Sequence, residues 1–267
     1  MSEIISVIVA GAAGRMGQEV VKTVLNDPDL ELVGAVDIME AGCDAGRLVG
    51  MTDCGVLISD NLQAVLQGRR ADVLVDFTNA QAAARNAKIA LKVGVAPIIG
   101  ATGLDEAEIG ELRKAAKRAA IGMLIVPNFT LGAVLMMSFA RQAARYFPNV
   151  EIIELHHDQK IDAPSGTALL TAQSISTERK PFTQGHPQEY EKLAGARGGD
   201  WNGIRVHSIR LPGLVAHQEV IFGGRGQVLT IRHDSLNRES YMPGVILAIK
   251  KVRQLQGVNI GLETALS

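Results

Sequence analysis

Residues 4–17 read Ile-Ile-Ser-Val-Ile-Val-Ala-Gly-Ala-Ala-Gly-Arg-Met-Gly, and this stretch decides the expected fold. The run at residues 4–10 is almost wholly apolar, which is typical of a strand buried on both faces of a parallel sheet. Beyond the glycines, Met16, Val20 and Val24 keep helical spacing. A strand, a glycine-rich turn and a helix in this order predict the phosphate-binding start of a dinucleotide-binding domain. The candidate cofactor residues in this turn are Gly11, Ala12, Ala13, Gly14, Arg15, Met16 and Gly17.

The glycines are spaced G-x-x-G-x-x-G, a variant of the usual dinucleotide pattern, which on its own is a weak signal. One glycine permits a tight turn, one lets the backbone approach pyrophosphate, and one lets helix and strand pack closely. A second apolar strand, at residues 31–36, ends at Asp37. A carboxylate there would accept hydrogen bonds from the adenosine ribose hydroxyls. The alternative is a strand-end aspartate that only starts a turn.

Strands and helices alternate through the rest of the first half. The expected strands lie at residues 72–77, 95–99 and 121–126, and the expected helices at 79–93 and 105–120. This alternation predicts an α/β fold with a Rossmann-like, doubly wound parallel sheet, in which ligands bind at the carboxyl ends of the strands. The residues at those ends are Phe77, Thr78, Gly100, Ala101, Thr102, Pro127, Asn128 and Phe129. Alternatively, these residues only form the loops that connect the strands to the helices.

From residue 150 onward, strand patterns follow one another without intervening helices. The apolar runs lie at residues 150–155, 204–210, 218–222 and 228–232, after a helix at 131–146. The glycines of Gly223-Gly224-Arg225-Gly226 predict a hairpin turn. These elements predict an open mixed or antiparallel sheet with a helix on one side.

A helical pattern returns from Ser240 and should pack on the nucleotide domain. We therefore expect a discontinuous dinucleotide-binding domain at residues 1–127 and 237–267. A smaller α+β domain, at residues 128–236, would bind substrate and mediate oligomerisation.

Composition excludes several classes of function. The net charge of −1 offers no polyanion-binding surface at the whole-chain level, so we expect no nucleic-acid partner. No apolar stretch is long enough to span a bilayer, so no membrane partner is expected. Two cysteines, Cys43 and Cys54, are too few for a disulfide framework. Without a recognisable signal peptide, they predict reduced thiols in a cytoplasmic protein.

Most of the candidate catalytic and substrate-binding side chains lie at residues 154–168, which read E-L-H-H-D-Q-K-I-D-A-P-S-G-T-A. The predicted strand leads to His156 and His157, the turn that follows contains Lys160, and a helix then begins at Pro164 or Ser165. The first amides of a helix lack intrahelical partners and lie at the positive end of its dipole. An anion such as a carboxylate could therefore bind at Ser165, Gly166 and Thr167. Histidine and lysine can transfer protons.

Plainer interpretations of this stretch remain open. Ser165 could be only a helix N-cap. Adjacent histidines on a strand point to opposite faces, so one of them could simply be packed. A metal site would need three or four converging ligands, and we predict none. The context of Ser165 is not a nucleophile elbow, which requires Gly-x-Ser-x-Gly.

The run E-x-H-H-x-x-K-x-D-x-P-S-G-T-A resembles the signature of the 4-hydroxy-tetrahydrodipicolinate (dihydrodipicolinate) reductase family of lysine and diaminopimelate biosynthesis. The resemblance covers nearly the whole chain and places the strand-end segments beside the nicotinamide. It implies NAD(P)H-dependent reduction of a cyclic dicarboxylate by hydride transfer followed by protonation. Ala101 lacks a hydroxyl that the family often has, which puts one cofactor contact in doubt.

The resemblance also implies roles for the candidate site residues of the second half. Lys160 would donate the proton with His156 as acid/base partner. The substrate would be held by His157, Lys160, Ser165, Gly166 and Thr167. The second domain would build a homotetramer. Independently of the resemblance, we expect Arg210, His217 and His233 on the sheet surface or at an interface, without a catalytic role.

Residues 37 and 38 bear on the choice of cofactor. Many members of the family have arginine after the acidic residue, where it accepts the 2′-phosphate of NADPH, but this chain has Ile38. We therefore expect NADH to be preferred and NADPH to be accepted.

Two other functions remain open at this point. A dehydrogenase acting on another amino-acid precursor would not need two anion-binding positions beside the histidines. A nucleotide sensor that has lost the chemistry would not need His156, His157 and Lys160 together.

Overall fold

The computed structural model describes residues 3–180 and 182–266 of the chain. Met1, Ser2, Pro181 and Ser267, which fall in the predicted domain ranges, lie outside the described residues. The chain divides into two compact units. The first comprises Met1–Phe129 and Tyr241–Ser267, and the second comprises Thr130–Ser240.

The strands, in chain order, are β1 Ile5–Ala10, β2 Leu30–Val36, β3 Ile58–Ser59, β4 Val73–Asp76, β5 Ala96–Ile99, β6 Met123–Ile125, β7 Asn149–His156, β8 Gly199–Trp201, β9 Ile204–Arg210, β10 Ala216–Gly224, β11 Gln227–Ser235 and β12 Val258–Ile260. The α-helices are α1 Arg15–Asn26, α2 Ala45–Leu48, α3 Leu62–Gly68, α4 Ala80–Lys92, α5 Glu106–Ala119, α6 Leu131–Ala143, α7 Gly166–Ser176 and α8 Met242–Val252. Two short 3₁₀ helices span Arg238–Tyr241 and Leu262–Ala265.

The first unit is built on a seven-stranded sheet in the order β12-β6-β5-β4-β1-β2-β3. Every strand pair in it is parallel. The chain moves outward from β1 in one direction through β2 and β3, and in the other through β4, β5 and β6. The reversal falls between β1 and β4, where ligands bind in doubly wound sheets. The Rossmann-like fold class expected from the sequence is confirmed.

The sequence explains why β1 lies at the centre. Val7, Ile8, Val9 and Ala10 are fully buried, because helices cover both faces of a doubly wound sheet. Helix α8 contacts α1, β4, β5 and β6, so the C-terminal helix belongs to this unit, as its apolar spacing predicted.

The second unit contains a five-stranded mixed sheet in the order β11-β10-β7-β9-β8. Strands β7 and β9 are parallel, and the other pairs are antiparallel. Buried side chains from α6, α7 and one face of this sheet form the core, including Ile152, Ala172 and Phe222. The mixed sheet with helical cover on one side is confirmed. Helix α6 ends at Ala143, and a hydrogen-bonded turn at residues 144–146 follows it, so the predicted helix end near Tyr146 is three residues too late.

Candidate active site

The glycine-rich turn joins β1 to α1 in the first unit. Gly11 adopts φ +77°, a conformation that favours glycine. A Cβ on Gly17 would lie 1.9 Å from the carbonyl oxygen of Gly11, so helix and strand can approach this closely only with glycine. Gly14 is the N-cap of α1 and provides no side-chain cap, which leaves the first amides of the helix for a ligand. The turn therefore has the backbone geometry that a bound pyrophosphate requires.

Asp37 connects this turn to the end of β2. Its Oδ2 accepts a hydrogen bond from the N–H of Ala13 at 2.9 Å, and its Oδ1 accepts one from the N–H of Met39 at 2.9 Å. Each carboxylate oxygen can accept a further bond, so ribose hydroxyls could still be bound. Ile38 is 86% exposed beside it. The predicted ribose contact at Asp37 is thus sterically available, and no cationic side chain stands at position 38.

The strand-end segments that the sequence singled out lie at the carboxyl ends of β4, β5 and β6. The rings of Phe77 and Phe129 pack with centroids 5.3 Å apart. A Cβ on Gly100 would lie 2.4 Å from the Phe77 ring, so glycine is required there. Ala101 is buried, and its methyl group packs into the core beneath α4 and α5. Thr102 and Pro127 are exposed, and Asn128 is half-buried.

Asp76, which sequence reasoning missed, organises one of these segments. It is fully buried at the end of β4 and accepts hydrogen bonds from the Thr78 backbone N–H at 2.9 Å and the Thr78 hydroxyl at 2.5 Å. Asn86 donates to its other oxygen at 2.8 Å. Burial raises the pKa of Asp76, against the lowering effect of these bonds. The available signal was a carboxylate ending an apolar strand directly before Phe77 and Thr78.

The second candidate group of residues lies in the second unit, at the end of β7. Alternate residues of this strand face the helices, so the buried Val150 and Ile152 are followed on the same face by Glu154 and His156. Glu154 is fully buried although it is charged. The apolar core face therefore ends in a polar layer beside the start of α7.

Glu154 is the centre of this polar layer. Its Oε2 contacts His156 Nδ1 at 2.5 Å and accepts from Arg210 Nη1 at 2.8 Å. Its Oε1 accepts from Arg210 Nη2 at 2.8 Å and from the backbone N–H of Ser165 at 3.1 Å. Burial raises the pKa of Glu154, but hydrogen bonds from His156 and Arg210 outweigh it and hold the pKa at about 2. The carboxylate thus stays ionised and joins a histidine, an arginine and a helix start.

Lys160 lies in the turn that follows β7. Its Nζ pairs with Asp162 Oδ1 at 2.6 Å, and this bond lowers the pKa of Asp162. The backbone N–H of Lys160 donates to the carbonyl of His157, whose side chain is exposed. His156, the last residue of β7, is held by Glu154, whereas His157 follows the strand. Arg210 also donates to the carbonyl of Asp162 at 2.7 Å and so ties this loop to β9.

Helix α7 begins at Gly166, with Ser165 as its N-cap. The Ser165 hydroxyl accepts from the Ala168 N–H at 3.2 Å, and its own N–H is taken by Glu154. Ser165 is buried, whereas Gly166 is exposed and Thr167 half-exposed. Ser165 is therefore the N-cap of α7, and any contact with a ligand would use its hydroxyl proton. The start of α7 still offers an anion the positive end of a helix dipole.

Arg210 was expected on the sheet surface or at an interface, and in the single chain it is half-buried. Its side chain is 19% exposed and is bound at both terminal nitrogens by Glu154. His233 was also expected at the surface or an interface, but it is half-buried against Gly132 at the start of α6, where burial lowers its pKa. His217 pairs with Asp234 at 2.7 Å. These placements depend on strand pairing, which the sequence pattern does not specify.

Within residues 3–180 and 182–266, histidine, cysteine and carboxylate side chains form no group of three that could hold a metal ion. No helix in that described part is both long and apolar enough to cross a bilayer.

Comparisons with known proteins cover both units. The family model described as dihydrodipicolinate reductase, N-terminus, matches residues 5–129, and the model described as dihydrodipicolinate reductase, C-terminus, matches residues 132–266. The chain is 58% identical to the 4-hydroxy-tetrahydrodipicolinate reductase of Desulfitobacterium hafniense, over 98% of both chains. It is 55% identical to the enzyme of that name from Moorella thermoacetica, over 98% of both chains.

A solved structure gives the same result. The dipicolinate-bound dihydrodipicolinate reductase from Paenisporosarcina sp. TG-14 is similar with a TM-score of 0.90 and 44% identity, over 98% of this chain and 99% of that one. An amine dehydrogenase from Mycobacterium smegmatis, with a TM-score of 0.67 and 16% identity, shares the fold alone.

Proposed function

The chain belongs to the dihydrodipicolinate reductase family, and from this premise we propose that it reduces 4-hydroxy-tetrahydrodipicolinate to tetrahydrodipicolinate in lysine and diaminopimelate biosynthesis. Membership makes it an oxidoreductase with a pyridine-nucleotide-binding domain. The assignment of each residue below is part of the proposal. A bound, reduced nicotinamide would supply a hydride, so the protein must bind two ligands and provide a proton.

One observation carries the proposal for the second unit. The buried Glu154 carboxylate holds His156 at 2.5 Å and the N–H of Ser165, which begins α7, at 3.1 Å. A group that can transfer protons is thereby fixed beside a helix start that attracts carboxylates. The reduction of a cyclic dicarboxylate requires both features, because the site must bind the carboxylates while a ring carbon is protonated.

The proposed division of labour follows from these contacts. Lys160 donates the proton, and His156 acts as its acid/base partner. His157, Lys160 and the α7 start at Ser165, Gly166 and Thr167 bind the carboxylates. The contact of Lys160 Nζ with Asp162 at 2.6 Å supports this role, because it holds a group with protons to donate in the turn beyond β7.

For the first unit, we propose that residues 11–17 bind the pyrophosphate and Asp37 the adenosine ribose. The strand-end residues from Phe77 to Phe129 would surround the nicotinamide. NADH is the proposed preferred cofactor, with NADPH accepted. We also propose a cytoplasmic enzyme with no nucleic-acid or membrane partner.

A homotetramer built through the second sheet completes the proposal. The face of this sheet away from α6 and α7 carries Ile153, Leu155 and Ile221, which are half-exposed in the single chain. The same face carries Glu151 and Glu219, so a partner subunit would cover apolar and charged side chains together. Light scattering should give four times the 28.4 kDa chain mass, and a monomer mass at working concentration would contradict it.

The test is oxidation of NADH by the purified full chain on freshly generated 4-hydroxy-tetrahydrodipicolinate. We expect a substrate-dependent loss of reduced-cofactor absorbance that pyridine-2,6-dicarboxylate inhibits competitively. The dipicolinate bound by the Paenisporosarcina enzyme motivates this inhibitor. A chain that binds NADH but does not oxidise it with this substrate would instead be a nucleotide sensor or a dehydrogenase of another precursor.

A further inference from the structure

Glu154 stands out because it is charged, whereas the buried side chains around it on this sheet face are apolar or, like its cross-strand neighbour Gln218, neutral. Val150 and Ile152 precede it on the same face, and Val220 lies on the neighbouring strand, all of them almost fully buried. A buried ion pair rarely stabilises a fold more than well-packed apolar side chains of the same volume would. A charge at this position therefore needs a reason other than stability.

The chain contains an internal comparison. Glu151, on the opposite face of the same strand, is also bound by an arginine and a histidine, Arg197 at 2.7 Å and His207 at 2.8 Å. Glu151 is 30% exposed, however, and its partners are partly solvated. Of these two carboxylates, only Glu154 is fully buried, and only Glu154 also binds a helix start, while its partner Arg210 binds the carbonyl of Asp162.

We infer that Glu154 is a positioning residue that fixes the tautomer and orientation of His156, and that Arg210 holds the Glu154 carboxylate in place for this purpose. An ionised carboxylate only accepts hydrogen bonds, so the Nδ1 of His156 must carry a proton. The neutral ring then has Nε2 as its acceptor, and this is the atom left to exchange a proton. The part of this inference that concerns turnover rests on the proposed function.

The hydrogen-bond pattern makes the effect of Glu154→Gln specific. Oε1 accepts from the backbone N–H of Ser165 and from Arg210, and the direction of the Ser165 N–H is fixed by the backbone. Arg210 contacts both oxygens, Nη2 at Oε1 and Nη1 at Oε2, so either orientation of the glutamine amide sets its NH₂ group against one nitrogen of Arg210. The fixed N–H of Ser165 therefore decides between the two orientations, and the amide oxygen of glutamine takes the Oε1 place. Its NH₂ group takes the Oε2 place and faces Nδ1 of His156. A donor there requires Nδ1 to become an acceptor, so the ring proton moves to Nε2.

The test is ¹⁵N NMR of the histidine rings in the full chain, with His156 assigned by comparison with His156→Asn. The wild-type ring should be the Nδ1–H tautomer, and Glu154→Gln should convert it to Nε2–H. Glu154→Asp keeps both acceptor oxygens and should keep the Nδ1–H tautomer. Glu151→Gln is the matched control and should leave the His156 signals unchanged. A wild-type ring protonated at Nε2 overturns the inference without any variant, as does an unchanged tautomer in Glu154→Gln.

Kinetics provide an independent readout. Glu154→Gln should lower kcat by roughly a hundredfold, the scale of a general acid–base group, with little change in KM. Glu154→Asp should recover part of that loss. In a protein that already carries His156→Asn, adding Glu154→Gln should lower kcat only slightly further, because the two residues act as one unit. Equal losses with and without His156 would show that Glu154 acts on the fold. If the wild-type chain oxidises no NADH with this substrate, the proposed function fails, and the ring tautomer still decides the inference.

Discussion

The backbone N–H of Ala13 donates to Oδ2 of Asp37 at 2.9 Å, so the glycine turn and the end of β2 are held together by one carboxylate. The Met39 N–H fixes the second oxygen at the same distance. The carboxylate is therefore oriented before any cofactor arrives, and its charge lies at the edge where a ribose would bind.

The first prediction concerns cofactor preference. A carboxylate repels a 2′-phosphate by on the order of a few kcal/mol at contact in a medium of effective dielectric near 20, less where water screens it. Ribose hydroxyls would instead donate to it, each bond to a charged acceptor being worth about 1.5–3 kcal/mol. We expect kcat/KM to be higher with NADH than with NADPH. Arg15, which is exposed in the turn, could reach the phosphate, so the preference should not be absolute.

Ile38→Arg should improve kcat/KM for NADPH more than for NADH. Ile38 is 86% exposed, so arginine fits without repacking. Val93→Arg, at another exposed apolar position of the same unit, is the control and should leave the ratio of the two cofactors unchanged. Equal or better use of NADPH by the wild-type enzyme at low salt would contradict this interpretation of Asp37 and Ile38.

The second prediction concerns Gly17. A Cβ there would lie 1.9 Å from the Gly11 carbonyl oxygen, and neither backbone can yield without moving α1 from β1. Gly17→Ala should lower the free energy of unfolding by about 1–3 kcal/mol or more and weaken NADH binding. Gly110→Ala in α5 is the matched control, since nothing lies within 4 Å of its added Cβ. It should stabilise the protein by about 0.5–1 kcal/mol. Urea unfolding and NADH titration of both variants are the measurements.

The third prediction concerns Lys160 and His156. Lys160→Ala and His156→Ala should each lower kcat by about a hundred- to ten-thousand-fold, the usual contribution of a general acid or base. NADH binding should be unchanged, because the glycine turn and Asp37 belong to the other unit. Steady-state kinetics and NADH titration test both halves of the statement. Lys117→Ala, an exposed lysine on α5, controls for loss of charge. Near-normal turnover in both site variants would remove their assigned roles.

The sequence specified the first unit well, because its signals are local. An apolar strand, a glycine turn and an Asn79 or Asp105 N-cap each act within a few residues, and the structure has both caps. The elements it missed are short. Strand β3 has two residues, and α3 has seven, although the Asn61 cap and the spacing of Leu62 and Leu66 were readable signals for it.

The arginine of the second unit could not be predicted in the same way. Arg210 reaches Glu154 only because β9 pairs in parallel with β7, which places Arg210 opposite His156. The two strands are separated by α7 and a long polar segment, and no periodicity in the sequence sets that register. The alternation of residues along β7 predicts that Glu154 faces inward. A buried carboxylate needs a cationic partner, but the sequence does not show which residue that partner is.

The last prediction follows from the ionisation of Glu154. Its pKa in the folded chain is about 2, below the ordinary 4.5 that it regains on unfolding. A group with a lowered folded-state pKa contributes its full stability above the unfolded value, and that stability is lost as the pH falls through the folded value. The window is therefore from about pH 4.5 down to about pH 2, and the contribution is on the order of a few kcal/mol at most.

Glu154→Gln should remove this part of the pH dependence, because glutamine does not titrate. The free energy of unfolding, measured in urea at steps from pH 6 to pH 2, should fall less steeply in the variant than in the wild type, from a lower starting value. Glu151→Gln is the matched control. The pKa of Glu151 is also lowered, since bonds from Arg197 and His207 outweigh its burial, but it is partly solvated, so its slope should change less. Curves for wild type and Glu154→Gln that run parallel through this window would show that folding does not lower the pKa of Glu154.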